Sequence, residues 1–200
     1  MSGEVPERVT ADAPRPGTGI GNRIVSPVPD DIRQRVLKPY LPVSRYVTSA
    51  QFERPRVAVL PASNRPETWL RLDAECAIKD PCYIESTGHF NAVELNITYN
   101  QMIYLCLAEI SRLGAVPKPL WSLEDFFQAQ LPNVLITDYQ AQFRRQMNSA
   151  RYSSWLMIES FEVKPRRNLA LLKTRCAASN DGNDANEARV NIALVDWPSA

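Results

Sequence analysis

The chain has 200 residues, of which 44% are hydrophobic, and its 23 basic and 22 acidic side chains leave a formal net charge of +1. That is enough for one globular domain or two small ones, without the basic surplus of a polyanion binder. No stretch nears the roughly 18 to 20 apolar residues needed to cross a bilayer, and MSGEVPERVT lacks the basic and apolar regions of a secretory signal, so a cytoplasmic protein with no nucleic-acid or membrane partner is expected.

The first 29 residues hold five of the sixteen prolines and four of the seven glycines, which reads as a flexible tail before a domain over residues 30–200. The string Gly17-Thr18-Gly19-Ile20-Gly21 has neither the preceding strand nor the spacing of a phosphate loop. Asp30 and Asp31 are expected to cap a short helix, Ile32 to Leu37, which Pro39 ends. From Thr68 to Ile78, Leu70, Leu72, Ala74, Cys76 and Ile78 alternate with Arg71, Asp73 and Glu75, the period of a half-buried antiparallel strand.

Between His89 and Leu113 the spacing predicts a long helix. Its apolar residues, among them Val93, Leu95, Ile97, Met102, Ile103, Leu105, Cys106, Leu107 and Ile110, cover most of the circumference, so it must be buried on nearly all sides. Ser122 and Asp125 form a capping box for a helix reaching Gln130, stopped by Pro132. Strand patterns then run over Val134 to Phe143, Tyr152 to Val163, Leu169 to Ala177 and Arg189 to Trp197, the last two joined by a loop containing Asp181-Gly182. One buried helix with five or six antiparallel strands implies an α+β protein of the hot-dog type, an antiparallel sheet wrapped around a long central helix.

Chemistry has few addresses. His89 is the single histidine, and Cys76, Cys82, Cys106 and Cys176 show no metal-binding or disulfide spacing, so reduced thiols and no metal or other cofactor are expected. There is no GxSxG elbow, and Cys106 lies about four helical turns beyond His89, too far for a Cys-His pair. The densest polar cluster, Tyr83 to Leu95, puts Gly88 and His89 where a loop feeds the buried helix, whose N–H groups and dipole suit an oxyanion or enolate. The alternative is that Thr87 or Asn91 caps the helix and His89 is structural. Asn96, Asn100 and Tyr104, spaced by four, share one stripe that must be paired or meet a ligand. Glu94, on another face, reads as an ion-pair or capping partner before a base. The pairs Arg144-Arg145 and Arg166-Arg167 read as solvated strand ends or contacts to an anionic carrier or coenzyme.

STGHFNAVEL followed by YNQMIY resembles the FcoT-like type III acyl thioesterases, and LKPY ending at Tyr40 and WSLEDFFQAQL from Trp121 resemble two further segments of that family in the same order. The resemblance covers about residues 30 to 197. It implies a hot-dog fold acting on fatty acyl thioesters of coenzyme A or acyl carrier protein, with site residues at Tyr40, Tyr83, Asn91, Asn100 and Tyr104 and with His89 in the shared GHF. The same GHF resembles hydroxyacyl-carrier dehydratases, but Asn100 stands where their carboxylate lies.

Members of the family from β-amino acid polyketide and isonitrile lipopeptide pathways add glycine to a 2-enoyl thioester, hydrolyse the β-(carboxymethylamino)acyl adduct, or do both. On that resemblance the chain is expected to hydrolyse such an adduct and also to form it by aza-Michael addition. His89, Tyr83 and Asn91 are the catalytic candidates, Tyr40, Asn100 and Tyr104 the substrate-binding ones, and Arg45, Arg144 and Arg151 the candidates for the glycine carboxylate. A long-chain fatty acyl-CoA thioesterase and a non-catalytic acyl-carrier-binding protein are the alternatives. A homodimer or higher oligomer is expected, because hot-dog sites are usually completed across a subunit interface and edge strands are protected by pairing.

Overall fold

The computed structural model describes residues 23–81, 84–85, 88–183 and 186–198. In chain order its elements are β1 (Arg23–Pro27), α1 (Asp30–Leu37), β2 (Val47–Pro55), β3 (Leu70–Cys76), α2 (Ala92–Leu113), α3 (Leu123–Ala129), β4 (Val134–Phe143), β5 (Tyr152–Lys164), β6 (Leu169–Ser179) and β7 (Asn186–Val195). The strands form one sheet in the order β1-β2-β3-β5-β6-β7-β4, antiparallel at every junction.

Alternation along β3 places Leu70, Leu72, Ala74 and Cys76 in the core, while Arg71 pairs with Asp73 on the outer face and lies 5.2 Å over the Trp155 ring. Against the inner face lies α2, in which every residue from Gln101 to Ile110 is buried. Two of these are polar and must be satisfied there. Gln101 accepts the Tyr46 and Val47 N–H groups at 2.9 and 3.1 Å and donates to the Ser44 carbonyl. Glu109 receives the Arg112 guanidinium at 2.8 and 2.6 Å.

The two short helices pack against another flank of α2. Arg35 of α1 pairs with Glu124 of α3 and lies 3.8 Å over Phe127, and Gln130 donates to the Val36 carbonyl at 2.9 Å. The Ser122–Asp125 capping box is formed as the sequence implies. Among the described residues no helix is long and apolar enough to cross a membrane. Cys76, Cys106 and Cys176 are buried free thiols, and Cys82 lies outside the described residues.

Four expectations need correction. The segment read as tail ends earlier, because Arg23–Pro27 pairs with β2 from Arg23↔Pro55 to Pro27↔Gln51; residues 1–22, with the glycine string, lie outside the described residues. Neither β1 nor β2 is legible in the residue pattern, so the described sheet has seven strands where five or six are expected. The first short helix is not capped by an aspartate: Pro29 holds the N-cap position, and Asp30 and Asp31 fall in the first turn, where they oppose the positive end of the helix dipole. The long helix begins at Ala92, with Asn91 as its cap, three residues after His89.

Gln101→Leu leaves the Tyr46 and Val47 N–H groups buried without acceptors. It should lower unfolding stability by about 2 kcal/mol or more, read from urea titrations.

Candidate active site

The loop feeding α2 is held in place from several sides. Gly88 adopts φ 74°, a conformation that strains any L side chain. Phe90 N–H donates to the Met147 carbonyl at 2.9 Å, and the Phe90 ring meets Tyr152 at 4.8 Å between centroids. Tyr152 also anchors the first turn of α2: its hydroxyl donates to Thr98 Oγ1 at 2.6 Å, and Thr98 donates to the Glu94 carbonyl at 2.7 Å. His89 is therefore exposed on a fixed backbone.

Next to it, Asn91 and Glu94 form a reciprocal capping box. Asn91 Oδ1 accepts the Val93 and Glu94 N–H groups at 2.9 and 3.3 Å, while Glu94 Oε2 accepts the Asn91 N–H at 3.0 Å. The capping alternative for Asn91 is thus realised, and Glu94 is the capping partner the sequence suggests. The cap also narrows the expected oxyanion site. Of the first four N–H groups of α2, Val93 and Glu94 go to the Asn91 side chain and Leu95 to the Asn91 carbonyl, leaving Ala92 N–H without a partner among the described residues. Asn91 keeps its Nδ2 donors. Burial pushes the Glu94 carboxyl above its ordinary value, and the Asn91 N–H and the nearby His89 imidazole draw it part of the way back.

A groove of about 490 Å³ opens here, lined on one side by His89, Phe90, Asn91 and Ala92 and on the other by Phe143, Arg144, Arg145 and Gln146. Of the three arginines expected to meet a carboxylate, Arg144 alone lines it, while also pairing with Glu187. Arg145 stands out in the sequence only as half of a basic pair; it lines the groove while its guanidinium contacts the Asn183 carbonyl at 2.8 Å. Phe143 and Gln146 have no sequence signal beyond their position at the end of β4. Arg45 lies elsewhere, donating to the Tyr40 and Lys38 carbonyls at 3.0 and 3.2 Å, and Arg151 is exposed at the start of β5 and does not line the groove.

The stripe of polar residues on α2 is not fully buried. Asn96 and Asn100 are half-buried, with Asn100 Nδ2 3.5 Å from Asn96 Oδ1, and they share the most open face of α2 with half-buried Ile97 and with Val93, which is 44% exposed. Tyr104 ends this strip beside Tyr40, about 18 Å from Ala92 at 1.5 Å per residue. Burial pushes both phenols upward, and Tyr104 adds to the effect on Tyr40. Tyr83 and Thr87 lie outside the described residues. Among the described residues, no group of three His, Cys, Asp or Glu side chains could hold a metal ion.

An antiparallel sheet wrapped around one long helix is the hot-dog fold, and this chain is an enzyme of that class. Residues 35–194 match the FcoT-like thioesterase domain, and the chain belongs to that family. A Mycobacterium marinum protein named (2E)-enoyl-[ACP] glycyltransferase is 31% identical over 175 residues, covering 86% of this chain and 89% of that one. A Streptomyces coeruleorubidus protein of the same name is 36% identical over 129 residues, 63% of this chain and 70% of its own length. A solved Staphylococcus aureus protein in complex with CoA aligns over 62% of this chain and 70% of that one, with a TM-score of 0.46 and 10% identity.

Asn91→Ala removes the cap of α2 and should cost about 1 kcal/mol of stability, whereas Asn91→Asp, which keeps the acceptor, should stay within a few tenths of the original in the same urea titration.

Proposed function

We propose that the protein adds glycine to the β-carbon of a 2-enoyl thioester carried by an acyl carrier protein. The observation that carries this reading is the groove at the head of α2, where one imidazole, the Ala92 N–H and two arginines converge in a chain alike over most of its length to proteins named for that transfer. The glycine nitrogen bonds to Cβ, and the π electrons move through Cα onto the thioester oxygen. His89 takes the proton that nitrogen loses and returns it to Cα as the enolate collapses, so no other reactant is needed. Ala92 N–H and Asn91 Nδ2 face the developing oxyanion. Arg144, with Arg145 beside it, receives the glycine carboxylate, and the acyl chain lies along the open face of α2 toward Tyr104 and Tyr40.

The family's thioesterase character supports a second step at the same site, attack of water on the thioester carbonyl to release the β-(carboxymethylamino) acid. We further infer a cytoplasmic homo-oligomer. Among the described residues β4 pairs with β7 alone and exposes Leu135, Ile136 and Phe143, an apolar edge of the kind that pairing with another copy protects.

Mass spectrometry after mixing the protein with carrier-bound 2-enoyl thioesters, with and without glycine, should show the adduct only with glycine; faster hydrolysis of a matched saturated thioester would favour a plain acyl thioesterase instead. His89→Ala should lower kcat by about 100-fold with the fold retained by circular dichroism, and Asn91→Asp, though stable, should lose a comparable factor. Light scattering at micromolar concentration should give a mass of at least two chains. A fully active monomer would rule out a shared site.

A further inference from the structure

We propose that Ala141 of β4 determines how long an acyl chain the site accepts, because its small side chain leaves open the passage by which the chain leaves the groove between β4 and α2. The inference rests on the glycine-addition reading and deepens it, since the chain of the enoyl thioester is the occupant of that passage.

Successive side chains along a strand point to opposite faces of the sheet. Gln140 and Gln142 are exposed on the outer face, while Tyr139 and Ala141 are half-buried against the core and Phe143 lines the groove, so Tyr139, Ala141 and Phe143 form one inward row. Two observations set that row beside α2. At one end Phe143 lines the groove together with Ala92, and four residues back the Tyr139 ring meets that of Tyr99 edge-on, with 6.2 Å between centroids. Ala92 and Tyr99 are seven residues apart and therefore on one side of the helix. Between these points β4 advances about 13 Å and α2 about 10 Å, so strand and helix run side by side with Ala141 midway, level with Asn96.

That level is where the helix is open: Val93 is 44% exposed, and Asn96 and Ile97 are half-buried. The backbone of α2 packs most closely on β2, β3 and β5, so side chains must bridge the wider gap to β4. Aromatic rings occupy both ends of the inward row, and the alanine at its middle leaves the space unfilled. A second copy pairing along β4 would use the strand's edge N–H and C=O groups and leave this row facing α2. Ala141 lies two residues from Phe143, about 7 Å along the strand. With the thioester oxygen at Ala92 N–H, a crotonyl chain, which ends at the carbon after Cβ, stops short of Ala141, whereas a 2-decenoyl chain passes it.

Ala141→Leu extends the methyl group to an isobutyl group in the passage. Adduct formation from glycine and carrier-bound crotonyl or 2-decenoyl thioesters is followed by mass spectrometry. In the variant, kcat/KM for the decenoyl thioester should fall about tenfold or more, with kcat/KM for crotonyl and KM for glycine within about twofold of wild type. Ala141→Val, a side chain well suited to a strand, should fall between the two and keeps the test open if the leucine variant does not fold. Gln140→Leu puts the same bulk on the opposite face and should match wild type with both substrates. Unchanged preference between the two thioesters in the Ala141 variants would overturn the proposal. So would an equal loss with both thioesters, or the same loss in Gln140→Leu, either of which marks a disturbed strand edge; and so would a wild type that converts crotonyl and refuses the longer chain. If wild type forms no adduct from either thioester, the glycine-addition reading falls and takes this role with it; if wild type converts both and the Ala141 variants do not discriminate, only the role of Ala141 falls.

Discussion

Everything in this protein is arranged around the burial of α2. A helix closed on all sides from Gln101 to Ile110 cannot present chemistry from its middle, and its polar members there are consumed by structure: Gln101 ties down the chain entering β2, and Glu109 holds Arg112. N-terminal to that closed stretch, the head of the helix and a strip through Val93, Asn96, Ile97 and Asn100 stay accessible. The groove lies at that head, and the strip leads away from it toward Tyr104, whose phenol is near that of Tyr40. The enclosure that buries the middle of α2 also limits which of its side chains a ligand could reach.

The residues at the helix head serve folding and chemistry together. Asn91 terminates α2 with one side-chain atom and keeps the other for the groove it lines, while Glu94 closes the reciprocal bond from inside the protein. Such double use makes the site rigid without additional elements, because the hydrogen bonds that end the helix also hold the loop carrying His89. Tyr152 extends the arrangement into the sheet through Thr98 and the Phe90 ring, so strand β5 and helix α2 fix the same few residues from two directions.

The core of this fold is open to reading from residue pattern alone wherever period and burial agree. Strand β4 runs from Val134 to Phe143 as expected, and β5, β6 and β7 shift by a few residues at their ends. β2 is hidden because a register shift between Val47 and Ser49 breaks its alternation, and β1 because prolines surround five residues with only two large apolar side chains. At the site, His89 and Asn91 of the motif line one groove with Arg144, one of the three arginines that the sequence offers without ranking them. Arg45 and Arg151 do not join them, since charge and proximity in sequence say nothing about which sheet end a guanidinium reaches. The open face of α2 departs from expectation for a related reason: apolar Val93 and Ile97 count toward an all-round buried helix by composition, yet the described residues leave both partly open. Arg145 and Phe143 belong to the groove through the turn after β4, a tertiary accident with no local signature.

The buried thiols carry a consequence for any thioester the protein meets. Acyl groups exchange readily onto thiolates, and a reactive cysteine beside the groove would become acylated in competition with other chemistry. Cys76, Cys106 and Cys176 are enclosed, and burial pushes the Cys76 and Cys106 thiols strongly upward, keeping them protonated. Among the described cysteines none offers a sulfur for self-acylation.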